Sequence, residues 1–387
     1  MISFQDGVKL IEKDSTSIQS RESELLGKGF TKKLLMVNQE QETFLAKSPD
    51  PLSVQEVFRG YIPEKKLDST TEAVQKHLFS LELELSFIEV LIPCFMRVLF
   101  ADQLITPEVY LHIDKNNHIF VLSKLLNGFD EFLYSKVAGK FGYILDHKKI
   151  PSRKDLDLTE QEAYLVGQLY AAALIFNHWD ILNSRLLNAG KIEISGQTKA
   201  CIVDFGFCLH LSYKGRHTDS LCLDDENFSY GKRINYRFFS LDYNRDYRHR
   251  FALPFDTMVG TLLPHTLIED LYQLSGNDRL STAMRNGFAA MIKQADKSIR
   301  SNPKLYEEVF SECLQSISNE SSVKAEDLPY FLNMNYYLGK IGDDNLFSII
   351  KGRIRDCFRL LSCFEQGIDP RILHENARDT YYKVNSF

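Results

Sequence analysis

The chain changes texture along its length, and that change restricts its architecture more than any single residue does. Up to about residue 205, short β-like runs alternate with a few long helical patterns; after about residue 255 the pattern is almost wholly helical. Strands gathered early and helices late predict an α+β fold. No internal repeat or low-complexity linker is visible, so a solenoid or a tethered array is not expected. With 387 residues, the chain has room for one large domain with additions or for two domains.

The first β-like runs are 22–26 and 32–37, joined through Gly27-Lys28-Gly29-Phe30, followed by 42–47 after a polar turn. Three short runs with tight polar connections predict an antiparallel meander. Residues 48–70 hold three prolines and mixed charge and read as an irregular insertion. A helix is expected from Thr71 to about Leu91, although the LELEL run at 81–85 also fits alternation. Runs at 109–113 and 118–124 flank Asp114-Lys115-Asn116-Asn117, a hairpin signal. The clearest helix covers 157–176, with Thr159 as its cap, Glu160 and Glu162 in its first turn, and an Ala/Leu-rich body. A loop at 177–185 and a hairpin across 186–203 lead to Asp204-Phe205-Gly206.

Composition excludes several classes. With 44% hydrophobic and 25% charged residues, the chain is neither disordered nor collagen-like. A net charge of −6, from 46 Lys+Arg against 52 Asp+Glu, argues against wholesale coating of nucleic acid, and no nucleic-acid partner is expected. The seven cysteines form no CxxC pair, so a disulfide framework or zinc knuckle is not expected; they read as buried small hydrophobes in a reducing compartment. The N-terminus lacks an apolar signal region, and the stretch Leu78 to Phe100 is interrupted by Glu82, Glu84, Glu89 and Arg97. That stretch reads as a core helix rather than a membrane span, and a soluble, cytoplasmic-type protein is expected.

The order of chemical residues is more specific. Phosphoryl transfer needs a phosphate cradle, a cation bridge with carboxylate ligands, and an oriented acceptor. Gly27 and Gly29 lie between two β-like runs, where missing Cβ atoms let backbone N–H groups approach phosphate. Lys47 ends the apolar run FLAK, and a Glu of the following helix is expected to hold it; Glu82, in the apolar middle of that helix, is preferred over Glu72, Glu84 and Glu89. Asp180 follows the long apolar helix, Asn183 stands three residues beyond it, and Asp204 follows the run ACIV. The same residues have plainer uses: Lys47 as a solvated strand end, Gly-Lys-Gly as a hairpin turn, Asp180 and Asp204 as turn residues.

This order of Gly-x-Gly, strand Lys, helix Glu, helix–loop Asp, hairpin and Asp-Phe-Gly resembles the protein-kinase-like superfamily over roughly residues 20–260. The resemblance implies a bilobal fold: a small antiparallel-sheet N-lobe over 1–127, with its insertion at about 48–70, and a mainly helical C-lobe over 128–387. It implies ATP and Mg2+ or Mn2+ as cofactors, Lys47 on the α/β-phosphates, Asp180 as the catalytic aspartate, and Asp204 with Asn183 as metal ligands. Residues 120–127 would hold the adenine, and His178-Trp179-Asp180 would stand for the family's His-Arg-Asp.

The departures are two loop glycines instead of three, Arg185 where the family places its metal-binding Asn, and no Ala-Pro-Glu. They resemble atypical kinases, notably divergent bacterial effector kinases and HipA-like or lipid kinases. The implied function is transfer of the γ-phosphoryl group to a protein hydroxyl, with a host protein as substrate for a secreted effector. A phosphoinositide or inositol-phosphate kinase and an inactive pseudokinase are the alternatives. The basic run 232–250, with Lys232, Arg233, Arg237, Arg245, Arg248 and Arg250 among aromatics, suits phosphate recognition, including inositol headgroups; as a plain alternative it is a solvated surface.

Overall fold

The computed structural model describes residues 11–13, 33–37, 42–48, 72–132, 158–176, 178, 188–205, 278–332 and 346–367. Expectations for the strand at 22–26, for the loop of Gly27 and Gly29, for Asp180 and Asn183, and for the basic run 232–250 lie outside the described residues. Within them the fold is mixed α+β.

Strands β1 (Ile11–Lys13), β2 (Lys33–Val37) and β3 (Thr43–Lys47) form an antiparallel set. Helix α1 (Glu72–Phe100) follows. Next come a 3-10 turn at Ala101–Gln103, the two-residue β4 (Leu104–Ile105), and the hairpin β5 (Val109–Ile113) and β6 (Ile119–Lys124). Helix α2 (Glu160–Phe176) leads towards the hairpin β7 (Ala189–Ile194) and β8 (Gln197–Ile202). The remainder holds α3 (Arg279–Ser301), α4 (Leu305–Gln315), β9 (Ser318–Asn319), a 3-10 segment at Ala325–Phe331 and α5 (Leu346–Gln366).

One sheet runs in the order β1-β2-β3-β6-β5-β9 and a second in the order β4-β8-β7. Alternation assigns the faces of the first. Phe44, Ala46 and Leu122 pack together on one side, whereas Leu111, Ile113, Ile119 and Val121 join the main core on the other. Lys47 stands directly opposite Val121 in the β3–β6 register, and residues facing each other across a ladder share a face. Lys47 is thereby placed on the core side, towards α1.

Helix α1 does not stop near Leu91 as its sequence suggests; it continues through Pro93 to Phe100. An interior proline costs about 3 kcal/mol, because it removes one helical hydrogen bond and crowds the preceding turn. Burial outweighs that cost: Leu91, Ile92, Phe95, Met96, Leu99 and Phe100 are all fully buried, at roughly 1.5–3 kcal/mol per large apolar side chain. Phe95 and Phe100 both meet Phe176 of α2 edge-on, at 5.9 and 6.0 Å between ring centres. The helix ends where Ala101 takes a left-handed backbone conformation (φ 51°).

Helix α2 begins at Glu160, directly after the cap expected at Thr159, and that cap is closed into a capping box by Glu162. Glu162 N–H donates to Thr159 Oγ1 at 3.2 Å, and Thr159 N–H donates back to Glu162 Oε2 at 2.9 Å. From Leu165 to Phe176 every residue is buried, which requires neighbours on all sides. On one side α3 crosses α2 almost backbone to backbone. A Cβ on Gly167 would stand 2.0 Å from the carbonyl oxygen of Met284, and a Cβ on Gly287 would stand 1.9 Å from that of Tyr164. Two reciprocal glycines therefore set this crossing.

The C-terminal residues also return to α1 and to the sheet edge. Phe310 of α4 meets Phe87 at 5.4 Å, Phe331 meets Phe79 at 5.2 Å, and Ser80 Oγ donates to the Phe331 carbonyl at 2.6 Å. Strand β9 adds to β5 in parallel. Residues 305–331 thus brace the outer face of α1. Among the described residues no helix is long and apolar enough to cross a membrane.

Candidate functional site

Three elements converge at Lys47. It ends β3 with its side chain 14% exposed, and an amine so enclosed needs opposite charge. Two carboxylates supply it: Glu89 Oε2 of α1 at 2.6 Å and Asp204 Oδ1, just past β8, at 2.7 Å. Burial pulls the ammonium pKa down, but the two carboxylates outweigh it and hold the group well above the ordinary lysine value. Lys47 is therefore a fixed cation bridging the first sheet, α1 and the strand end of the second sheet.

Asp204 is positioned from behind. The β7–β8 hairpin closes through Ser195 and Gly196, both with positive φ (52° and 76°), as a two-residue turn requires. Val203 N–H donates to the Asn188 carbonyl at 3.0 Å, which carries the pairing past the end of β8. His178 N–H closes the end of α2 on the Ala173 carbonyl at 2.9 Å. Its ring then donates from Nε2 to the Asp204 carbonyl at 2.6 Å. Burial pushes His178 down to about 4, with the Asp204 carbonyl and carboxylate opposing that shift; at neutral pH it is an uncharged imidazole, and this hydrogen bond sets Nε2 as the protonated nitrogen. Phe205 is buried beside it, 5.9 Å from ring to ring.

The structure thus brings Lys47 and Asp204 together, residues 157 positions apart. It does not bring Glu82 to them. The carboxylate on Lys47 belongs to Glu89, seven positions later and on nearly the same helical face but two turns along the axis. Glu82 is half-buried; burial raises its pKa, and His118 pulls the other way. A signal for Glu89 was present in the sequence. It is flanked by Ile88, Val90, Leu91 and Ile92, all buried, and a lone carboxylate in such a run demands a cation. His178 likewise had no assigned contact before the fold brought α2 and β8 together. Its only sequence mark was the position two residues before Asp180.

Lys191 closes a neighbouring polar cluster, 3.2 Å from Glu162 Oε1 and 3.5 Å from Asp130 Oδ2. It ties the start of α2 to the second sheet. Among the described residues, no group of three or more His, Cys, Asp or Glu side chains is arranged to hold a metal ion. The chemistry of Asp204 nonetheless suits Mg2+, which in nucleotide sites is held through one or two carboxylates with the remaining positions left to phosphate and water.

No family model matches the sequence, and no curated protein matches it either. Among solved structures, the chain is similar to the Rio2 kinase–ADP/Mg2+–phosphoaspartate complex from Chaetomium thermophilum. The identity is 16%, over 70% of this chain and 67% of that chain, with a TM-score of 0.25. A likeness of that depth carries no weight for activity, and what the site can do follows from its residues.

Proposed function

We propose that the chain is an atypical ATP-dependent kinase that transfers the γ-phosphoryl group to a protein hydroxyl. The observation that carries this reading is the ammonium of Lys47 held at 2.6 Å by Glu89 and at 2.7 Å by Asp204. A strand lysine paired to a helix glutamate beside the aspartate of Asp-Phe-Gly is the constellation that kinases use to grip nucleotide phosphates. An ordinary structural ion pair would not require the strand–helix–strand order in which these residues occur.

In this reading Lys47 lies on the α/β-phosphates and offsets their charge, with Glu89 fixing its position. Asp204, with Asn183, would hold Mg2+ or Mn2+, which would supply charge neutralisation for the transferred group. Asp180 receives the acceptor hydroxyl proton, and the backbone around Gly27 and Gly29 covers the phosphates. His178 keeps the Asp204 backbone in register without touching nucleotide. Residues 1–127 act as an N-lobe and 128–387 as a C-lobe, with the adenine between them at 120–127. Action on a host protein by a secreted effector is the finer form of the same reading.

Thermal-shift measurements with ATP and Mg2+ or Mn2+ test the nucleotide site, and transfer of labelled γ-phosphate to protein tests the activity. Wild type should be stabilised, the shift should vanish in Lys47→Ala and Asp204→Ala, and transfer should vanish in Asp180→Ala. Absence of any nucleotide shift in the folded wild type would overturn the reading. Transfer to phosphoinositide vesicles instead of protein would replace the acceptor class.

A further inference from the structure

Helix α5 carries a charge where its packing calls for a hydrophobe. Leu346, Ile350, Cys357, Leu360 and Phe364 are all buried, and with position 353 they make one continuous stripe along the helix. Position 353 is Arg353, 3% exposed and the one buried Lys or Arg among the described residues. The helix that bears it is fixed at both ends. Phe347 stacks on Tyr306 of α4 at 5.2 Å, and Phe364 meets Phe288 of α3 at 6.4 Å.

From this platform the guanidinium donates through Nη1 to the Leu174 carbonyl of α2 at 3.2 Å, across 179 positions of sequence. Leu174 lies in the last turn of α2, whose carbonyls have no partner within the helix. The carbonyl of Ala173 accepts from His178 N–H at 2.9 Å. The next one along is taken by Arg353, and a cation there also meets the negative end of the helix dipole. Consecutive carbonyls are thereby tied, one to the chain that follows and one to α5. That turn leads directly to His178, whose Nε2 donates to the Asp204 carbonyl at 2.6 Å.

Stability alone does not call for a cation at this place. Taking a guanidinium out of water carries a desolvation cost, and buried charges replaced by hydrophobes of similar volume are often neutral or stabilising. We propose that Arg353 is a positioning residue for the candidate site: it clamps the last turn of α2 and, through His178, holds Asp204 in place beside Lys47. The C-terminal helix is then a working part of the site. The consequence for metal binding rests on the kinase reading, in which Asp204 is a metal ligand, whereas the clamp itself does not. Residues that orient a metal ligand from outside typically change metal affinity by about 10–100-fold when lost.

The test compares full-length wild type, Arg353→Met, Arg353→Lys and Leu360→Ala by hydrogen–deuterium exchange resolved to single amides. In Arg353→Met the His178 amide should exchange roughly tenfold faster, as expected for losing one hydrogen bond to a charged group. Amides in the first turns of α2 and in α3 should keep their rates. Arg353→Lys, which keeps the charge on a single donor, should give a smaller rise at the same amide. Leu360→Ala, a packing loss on the same stripe, should not single out His178. Thermal shift with ATP over a Mg2+ titration supplies the second readout: the Mg2+ concentration at half-maximal shift should rise about tenfold or more in Arg353→Met. An unchanged His178 amide in both Arg353 variants, a uniform rise across α2 and α3, or the same local rise in Leu360→Ala would make Arg353 a packing residue and overturn the proposal. So would an unchanged Mg2+ midpoint in a protein that binds nucleotide. A wild type with no nucleotide shift would sink the kinase reading alone, and the exchange rates would then decide the clamp by themselves.

Discussion

Replacing Glu89 by Gln isolates what the fold decided about Lys47. The substitution keeps the shape of the side chain and removes its charge. Lys47 Nζ lies 2.6 Å from Glu89 Oε2, with the two side chains 14% and 16% exposed. A hydrogen bond between charged groups contributes about 1.5–3 kcal/mol. Asp204 stays on Lys47 at 2.7 Å, so the ammonium is not orphaned, and a cost of about 2 kcal/mol is expected. At about 2–4 °C per kcal/mol for a domain of this kind, the Tm should fall by roughly 4 °C or more.

Lys47→Met should be worse, at about 3–5 kcal/mol, because it leaves two carboxylates facing each other without a cation. Adding Glu89→Gln to Lys47→Met then removes one of those charges and should cost almost nothing. The double-mutant cycle should therefore return a coupling of about 2 kcal/mol or more in urea unfolding followed by circular dichroism at pH 7. Glu82→Gln is the control. Its carboxyl is raised by burial, so removing that charge should be neutral or slightly stabilising. Equal losses for Glu82→Gln and Glu89→Gln, or a cycle coupling below about 0.5 kcal/mol, would refute the assignment.

Two further predictions concern the supports of the site. His178, at about 4 in the folded chain against about 6.5 when unfolded, contributes stability that is fully present above pH 6.5 and lost as pH falls towards 4. That contribution is about 3 kcal/mol at most, and His178→Gln should flatten the wild-type loss over that window in denaturant titrations. Gly167→Ala places a Cβ against the Met284 carbonyl and should cost about 3 kcal/mol, since backbone on both sides resists the shift. Gly352→Ala, whose Cβ would meet nothing nearer than Arg355 Nη2 at 4.0 Å, should instead gain up to about 1 kcal/mol in the interior of α5; equal effects at the two glycines would argue against the close α2–α3 crossing.

Local patterns in the sequence carried a good part of this fold. Period-two alternation in the TFLAK run places Phe44 and Ala46 on one face and Lys47 on the other. Asp114-Lys115-Asn116-Asn117 marks the β5–β6 hairpin, where Asp114 Oδ1 accepts from the N–H groups of Asn116 and His118, both at 2.8 Å. Thr159 is the cap expected at the head of α2, and Glu162, expected in its first turn, bonds back to it. Each of these depends on residues within a few positions of one another, so composition and spacing suffice to reveal them.

Where the interaction spans elements, local pattern was not enough. Propensity ended α1 near Leu91, because a proline is a local penalty and its compensation comes from Phe176 and Tyr306 on distant helices. Glu82 and Glu89 share a helical face, so periodicity could not separate them. Only the distance along the axis at which β3 meets α1 decides which carboxylate reaches the amine. By itself the sequence determined that a lysine, an acidic helix and Asp204 occur in this order, together with the strands and turns that hold them. The tertiary structure alone decided that Glu89 closes the triangle and that His178 holds Asp204 from behind, because each depends on the register between elements rather than on the residues within one.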